Sequence, residues 1–215
     1  MPITAKGQRR YTLSEAEQAA IGSHGIARSY PKNTIIVSEG DRTDSLYVIL
    51  EGRVKVFVSD DAGHDVVLDT QGPGEYFGEL VLDQGPRSAS VMTVETSRLL
   101  VVSQKDFRNF IAENSAFALD LVEKLIARVR ALTASVKSLA LMDVYGRVAR
   151  LLLELAEDGD GGLVIAQRLT QQDIASRIGA SREMVSRILK DLSTGGYLSR
   201  SRNGIVLHRK PPEHW

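Results

Sequence analysis

The chain has 215 residues, enough for two small domains or one large one. Its hydrophobic fraction of 43% is ordinary for a globular protein, and no apolar run is long enough to cross a membrane. Cysteine is absent, which excludes disulfides, thiolate zinc sites, cysteine-ligated iron–sulfur clusters and thiol redox sensing. Because residues 1–11 lack the apolar core of a signal peptide, a cytoplasmic location is expected.

The formal net charge is zero, but the charges are unevenly distributed along the chain. From Arg168 onward there are nine basic and four acidic residues, so this segment carries +5 and the remainder −5. A basic C-terminal block on an acidic body is typical of a module that binds a polyanion. A solvated basic face would produce the same count.

Residues 33–105 have the pattern of a β-rich domain. Short runs of β-branched residues alternate with glycines at the close spacing that is typical of a sandwich or barrel. The predicted strands are Thr34–Val37, Leu46–Leu50, Val54–Val58, Val66–Leu68, Val91–Val94 and Leu99–Val102. Residues 10–22 are expected to form a helix before them.

The hydrophobic period changes at residue 118. Seven apolar residues then recur at alternating spacings of four and three, which is the pattern of a coiled-coil seam. They are Ala118, Val122, Leu125, Val129, Leu132, Val136 and Leu139. Charged residues, among them Lys124 and Arg128, are assigned to the other faces. Since the chain has no second heptad stretch, the predicted partner is the same helix of a second copy, giving a homodimer; an intrachain helix pair is the alternative.

The segment Leu141-Met142-Asp143 is the predicted joint to a C-terminal unit. Asp143 can cap a new helix, which is expected to run to Leu155 because apolar residues share one of its faces. The polar, glycine-rich residues 157–162 are then expected to form a loop.

Residues 169–192 have the layout of a helix-turn-helix. Thr170 and Asp173 are spaced as a capping box, Gly179 permits a tight turn, and Ser181 can cap the second helix. One face of that second helix is apolar. The opposite face offers hydrogen-bond donors for guanine, an acceptor for cytosine and cations for phosphate, as major-groove reading requires. Its residues are Arg182, Glu183, Ser186, Arg187 and Lys190.

Two short strands are predicted between Tyr197 and His208, because Asn203-Gly204 is a strong hairpin-turn signal. This hairpin would make the helix-turn-helix winged. Arg200 and Arg202 would then be placed to contact DNA phosphates. Ser181 and, at the start of the first helix, Thr170 and Gln171 complete the predicted DNA-binding set.

The segments 73–80 and 85–91 have the chemistry of an anion site. Their glycines allow close backbone approach, Arg87 offers a planar fork for a phosphate, and Ser88 adds a hydroxyl and an N–H. Glu79 can accept hydrogen bonds from sugar hydroxyls. A surface turn with a Glu79–Arg87 salt bridge is the alternative.

Three segments resemble, in order, the bacterial catabolite activator/fumarate-nitrate regulator (Crp/Fnr) family of transcription regulators. They are Gly78-Glu79-Leu80…Arg87-Ser88-Ala89, the joint from Leu139 to Ala149, and the reading helix from Ser181 to Lys190. The resemblance implies an α+β protein with an N-terminal β-roll (a double-stranded jelly roll of the cyclic-nucleotide-binding type), a long dimerisation helix and a C-terminal winged helix-turn-helix. The implied domains are 1–115 (sensor), 116–142 (dimerisation helix) and 143–215 (DNA-binding).

The resemblance also implies an effector, cAMP or cGMP, that acts allosterically. Arg87 and Ser88 would hold its phosphate and Gly78 and Glu79 its ribose, with Leu80 and Ala89 completing the cassette. Arg128 would approach Glu79.

In cAMP-responsive members a Thr-Ser pair contacts the adenine, and those positions fall here on Leu132 and Thr133. Because Leu132 has no hydroxyl, the choice between adenine and guanine stays open. So does the alternative of another ligand, such as a cyclic dinucleotide, or of constitutive activity without an effector.

The implied partner is double-stranded DNA with a palindromic site of TGA-containing half-sites, whose centres lie about one helical turn apart. Arg187 and Glu183 would read the G·C pair, and RNA polymerase is a further expected partner. No membrane partner is expected.

Other classes of function lack their residue patterns. There is no His-x-His for a cupin-type metal enzyme, no glycine-rich strand–helix phosphate loop and no nucleophile elbow. A haem-based sensor would have only His24 and His64 in the N-terminal part of the chain. We therefore expect no enzyme, no metal, no haem and no iron–sulfur cluster.

Overall fold

The computed structural model describes residues 12–61, 63, 65–83, 85–159, 162–166, 169–201 and 204–211. Its N-terminal part is a sandwich of two antiparallel four-stranded sheets. The strands are β1 (Gly25–Tyr30), β2 (Ile35–Val37), β3 (Ser45–Glu51), β4 (Val54–Ser59), β5 (Asp65–Gln71), β6 (Tyr76–Phe77), β7 (Ser90–Thr93) and β8 (Ser97–Ser103). One sheet has the order β1-β8-β3-β6 and the other β2-β7-β4-β5, so β5 is an edge strand.

The side chains of β3 alternate between two hydrophobic cores, so this sheet is buried on both faces. Tyr47 and Ile49 belong to the core between the two sheets, whereas Leu46 and Val48 belong to a second core. That second core is covered by helices α1 (Glu15–Gly22) and α2 (Gln104–Glu113). The two faces of β3 thus join the sandwich to its helical layer.

All six strands predicted for residues 33–105 are confirmed, but two strands and an α-helix of this part were missed. Strand β1 is mostly exposed and has no apolar alternation, β6 has only two residues, and α2 was not anticipated. Pairing with β8 and β3 makes β1 and β6 strands. The predicted N-terminal helix begins at Glu15 after a Ser14–Glu17 capping box, and residues 10 and 11 of that prediction lie outside the described residues.

Helix α3 (Ser115–Leu141) is the long helix expected from the heptads. Phe117 and Leu121 bury its first turns against the N-terminal core, and Leu125 is half-buried there. The residues of the predicted seam are therefore divided between this core and the exposed surface of the helix. The apolar side chains that remain exposed include Leu119, Val122, Ile126, Val129 and Val136, which we call the exposed stripe. The assignment of Lys124 to an outer face was wrong, because this residue is buried.

The C-terminal part is a winged helix-turn-helix. It comprises α4 (Val144–Leu155), β9 (Glu157–Gly159), β10 (Gly162–Ile165), α5 (Gln171–Ile178), α6 (Arg182–Thr194), β11 (Leu198–Ser201) and β12 (Gly204–Leu207). Helix α4 begins at the predicted cap, where Gly146 N–H donates to Asp143 at 2.7 Å. The loop predicted for residues 157–162 was wrong: β9 and the start of β10 occupy it, because β10 pairs with both β9 and β12.

Among the described residues, no helix is both long enough and apolar enough to span a membrane.

Candidate effector and DNA-binding sites

Arg87 is the centre of the candidate effector site, and its side chain is buried, with 7% of the residue exposed. Its Nε donates to Thr43 Oγ1 at 2.6 Å, its Nη1 to the Gly78 carbonyl at 3.1 Å and its Nη2 to the Ser45 carbonyl at 2.5 Å. Burial lowers the pKa of Arg87, an effect that the charge of Glu79 opposes. These bonds use three of the five guanidinium N–H donors, so an incoming phosphate must share or replace them.

Gly78 is required by the position of that guanidinium. Its φ is +85°, and a Cβ there would lie 2.8 Å from Arg87 Nη1 and 3.0 Å from the Ser45 carbonyl. Any other residue would therefore be strained and would displace Arg87. The backbone of Arg87 is also fixed, since its N–H donates to the Asp41 carbonyl at 2.9 Å.

Glu79 opens a short 3₁₀ helix, Glu79–Asp83, and is 4% exposed. It forms no bond to Arg87 in this structure; its counterions come from α3. Arg128 Nη1 lies 3.7 Å and Lys124 Nζ 3.9 Å from Glu79 Oε1. The predicted approach of Arg128 to Glu79 is therefore observed, while the contribution of Lys124 was missed because the heptad pattern gives no sign that a charged side chain turns inward.

A cleft of about 450 Å³ lies between β5, α3, α4 and α5, where the sandwich meets the helix-turn-helix. Lys124, Arg128 and Leu132 line it, together with Asp69 and Gln71 of the edge strand. Arg87 and Thr133 are not among its lining residues. The structure thus gathers only part of the predicted effector set at this cleft.

The remaining predicted effector residues differ in exposure. Leu80 and Ser88 are exposed, and Ala89 is buried in the core between the sheets. Thr133 is exposed on α3, and its hydroxyl donates to the Val129 carbonyl at 2.9 Å, inside its own helix.

The helix-turn-helix is built as its sequence indicates. The Thr170–Asp173 capping box is present, Gly179 adopts a left-handed conformation with φ 64°, and Ser181 accepts a hydrogen bond from Met184 N–H. Val185, Leu189 and Leu192 bury one face of α6 against α4 and α5.

The outward face of α6 is available to a partner. Arg182, Glu183, Arg187 and Lys190 are exposed and Ser186 is half-buried, with the first two in the first turn of the helix. This first turn is the part that enters the major groove in helix-turn-helix complexes. Helix α6 can therefore present two arginines and a carboxylate to base edges.

The wing also follows the prediction where the structure describes it. Strands β11 and β12 pair antiparallel, and Arg200 is exposed opposite Ile205. Arg202 and Asn203 lie outside the described residues. Thr170 is exposed and Gln171 half-buried at the start of α5.

Arg147 of α4 fixes the turn of the motif, a role that the sequence did not reveal. Its Nε donates to the Ile178 carbonyl at 3.0 Å and its Nη1 to the Met142 carbonyl at 2.9 Å. One side chain thus connects the end of α3 to the turn between α5 and α6.

Comparison with known proteins agrees with both halves of this architecture. Residues 27–114 match the cyclic nucleotide-binding domain, and residues 146–211 match the Crp-like helix-turn-helix domain. The chain therefore has the make-up of a DNA-binding transcription regulator. It belongs to the Crp/Fnr family.

Two curated relatives carry this assignment. The cAMP-activated global transcriptional regulator Vfr of Pseudomonas aeruginosa is 34% identical over 184 residues, covering 81% of this chain and 85% of Vfr. The CRP-like cAMP-activated global transcriptional regulator of Mycobacterium tuberculosis is 32% identical over 183 residues, covering 83% and 82%. Among solved structures, the c-di-GMP responsive global regulator CLP of Xanthomonas campestris aligns with a TM-score of 0.79 at 25% identity, covering 91% of this chain and all of that one.

Proposed function

We propose that this regulator is a homodimer whose DNA affinity is controlled by a cyclic purine nucleotide, cAMP or cGMP. The observation that carries the proposal is the buried guanidinium of Arg87, which lies against Gly78 at a point where no side chain fits. Bonds from arginine to a phosphate join two ionised groups and are stronger than its bonds to a neutral hydroxyl or carbonyl. A cyclic phosphate can therefore compete for donors now directed at Thr43 and Ser45.

The other effector residues follow from that anchor. With the phosphate at Arg87 and Ser88, the ribose lies at Gly78 and Glu79, beside Leu80 and Ala89. The base then points to α3, toward Leu132 and, from across the dimer, Thr133, while Arg128 remains beside Glu79. The chain is then divided into a sensor domain (1–115), a dimerisation helix (116–142) and a DNA-binding domain (143–215).

On the DNA side, two copies of α6 read a palindrome with TGA-containing half-sites through Arg182, Glu183, Ser186 and Arg187. The phosphates are contacted by Lys190 and the wing, and RNA polymerase is a further partner. Effector binding shifts an equilibrium between two arrangements of the α6 pair, so operator and nucleotide affinity rise together. For this role we expect the regulator to be located in the cytoplasm.

A second candidate effector is a cyclic dinucleotide. The relative CLP is described as c-di-GMP responsive. Here, the cleft is lined by Lys124 and four arginines (Arg128, Arg147, Arg150 and Arg177) together with three carboxylates (Asp69, Glu75 and Glu154), and this net positive charge suits a ligand with two phosphates.

The deciding experiment is a gel shift on a TGA-containing palindrome with cAMP, cGMP or c-di-GMP. We expect one of the first two to increase operator affinity and Arg87→Lys to abolish the response, since an ammonium cannot form the bidentate fork. Arg98→Lys, at an exposed arginine of the same domain, is the matched control. A response to c-di-GMP alone would favour the second candidate, and no response to any nucleotide would refute control by a cyclic nucleotide.

A further inference from the structure

Lys124 is a charged residue in an unusual place, because it is 8% exposed and covered by the sandwich. A buried ammonium lowers the stability of the fold unless it is paired and hydrogen-bonded. Lys124 meets this condition through one segment of the sensor. Its Nζ donates to the Tyr76 carbonyl at 2.6 Å, lies 3.4 Å from the centre of the Tyr76 ring and is 3.9 Å from Glu79 Oε1.

Arg128 follows one helical turn later on α3 and is directed at the same carboxylate oxygen, 3.7 Å away. Two like charges at this spacing repel each other on an isolated helix. Here the carboxylate of Glu79, itself 4% exposed, is the counterion for both. The charge on Glu79 therefore contributes to the attachment of α3 at this point.

The segment that Lys124 contacts leads directly into the effector cassette. Tyr76 and Phe77 form β6, and the next two residues are Gly78 and Glu79. Phe117 also contacts this segment, with its ring 5.6 Å from that of Tyr76. Phe117, Lys124 and Arg128 are seven and four residues apart, so a single face of α3 is attached to residues 76–79.

We propose that Lys124 is a positioning residue that couples the effector cassette to α3, and through α3 to the DNA-binding domain. This inference rests on the function proposed above. When a sugar hydroxyl donates to Glu79, it competes with Lys124 and Arg128 for the same carboxylate and so changes the attachment of the helix. Without Lys124, Glu79 is joined to α3 by Arg128 alone, and the bond to Tyr76 is lost.

Loss of Lys124 should therefore uncouple the two binding events more than it weakens either one. The test is calorimetric titration of the full chain with cAMP and with cGMP, each with and without a TGA-containing palindromic duplex. For each nucleotide, the coupling factor is its Kd without the duplex divided by its Kd with the duplex. This factor is about 5- to 150-fold in allosteric proteins. For Lys124→Met we expect this factor to fall toward unity while nucleotide alone binds at least as tightly as to the wild type, because one competitor for Glu79 has been removed. General destabilisation does not produce this split.

Lys137→Met is the matched control, because Lys137 is an exposed lysine on the same helix, and it should retain the wild-type factor. Lys124→Gln removes the charge but keeps an N–H donor for the Tyr76 carbonyl. If the methionine variant fails to fold, the coupling factor of this glutamine variant tests the inference instead. Wild-type coupling in a folded Lys124 variant would overturn the inference. Loss of nucleotide binding itself would also overturn it, since Lys124 would then act as a ligand contact. A wild-type protein without coupling would refute the proposed function directly, and the inference with it.

Discussion

The exposed stripe of α3 predicts where dimerisation can be broken with a single substitution. Val129 lies near the middle of the helix and is 62% exposed in the isolated chain, far more than a valine in a packed core. If α3 pairs with a second copy, Val129 is buried on both protomers. Replacing it with aspartate removes this burial and places two carboxylates in the seam.

The size of the effect can be worked out from that exposure. Complete burial of a valine contributes about 1.5–3 kcal/mol, so the exposed fraction of Val129 corresponds to about 1–2 kcal/mol per protomer and about 2–4 kcal/mol per dimer. At about 1.4 kcal/mol for each tenfold change, the dimer Kd should rise by about 30- to 700-fold. Desolvation of two like charges adds to this value.

Sedimentation equilibrium over a range of concentrations measures this dimer Kd. Ser135→Asp introduces the same charge on the face of α3 that lines the cleft, and we expect it to leave the dimer intact. A dimer Kd for Val129→Asp equal to that of Ser135→Asp would show that the stripe is not the seam. A wild-type protein that is monomeric would refute the reasoning altogether.

Three further predictions concern the DNA-binding domain and the buried lysine. Arg187→Ala should weaken binding by about 1–3 kcal/mol and relax the preference at the G·C pair, measured by gel shift on operators changed at that pair; equal losses on all sequences would contradict base reading. Thr170→Ala removes the side chain that caps α5, and urea titration should show a loss of about 0.5–2 kcal/mol in the free energy of unfolding, whereas no loss would contradict a capping role. Burial lowers the pKa of Lys124 below its ordinary 10.5, although Glu79 opposes the shift. Between the lowered pKa and 10.5, the unfolded chain binds more protons at this lysine than the folded chain does. The free energy of unfolding of the wild type, relative to that of Lys124→Met, should therefore rise with pH in this alkaline window and be constant below it. A difference between the two proteins that is independent of pH would contradict the burial of a charged lysine.

Most of the DNA-binding domain could be predicted because its signals are local. A capping box joins residues three apart, and the turn depends on one glycine with a positive φ. Helix α6 has an apolar face that repeats every three to four residues. Such short-range patterns are written in consecutive residues, so they identify α5, α6 and the wing without reference to the rest of the chain.

Strand β9 shows where this reasoning fails. Its sequence Glu-Asp-Gly has low strand propensity and was predicted to form a loop. Pairing with Val164 and Leu163 of β10 makes it a strand nonetheless. Hydrogen bonds to a neighbouring strand outweighed local propensity there, as they did in β1.

The sequence by itself determined the β-rich part, the long helix and the helix-turn-helix with its polar outer face, since each depends on residues close together in the chain, and a family resemblance pointed to the cassette. Only the tertiary structure decided the environment of the charges. The acceptors of Arg87 at Thr43 and Ser45 are 44 and 42 residues away, and the carbonyl that accepts from Lys124 is 48 residues away. Whether a cation on an amphipathic helix faces solvent or a buried carboxylate depends on which segment packs against it, and periodicity carries no information about that partner.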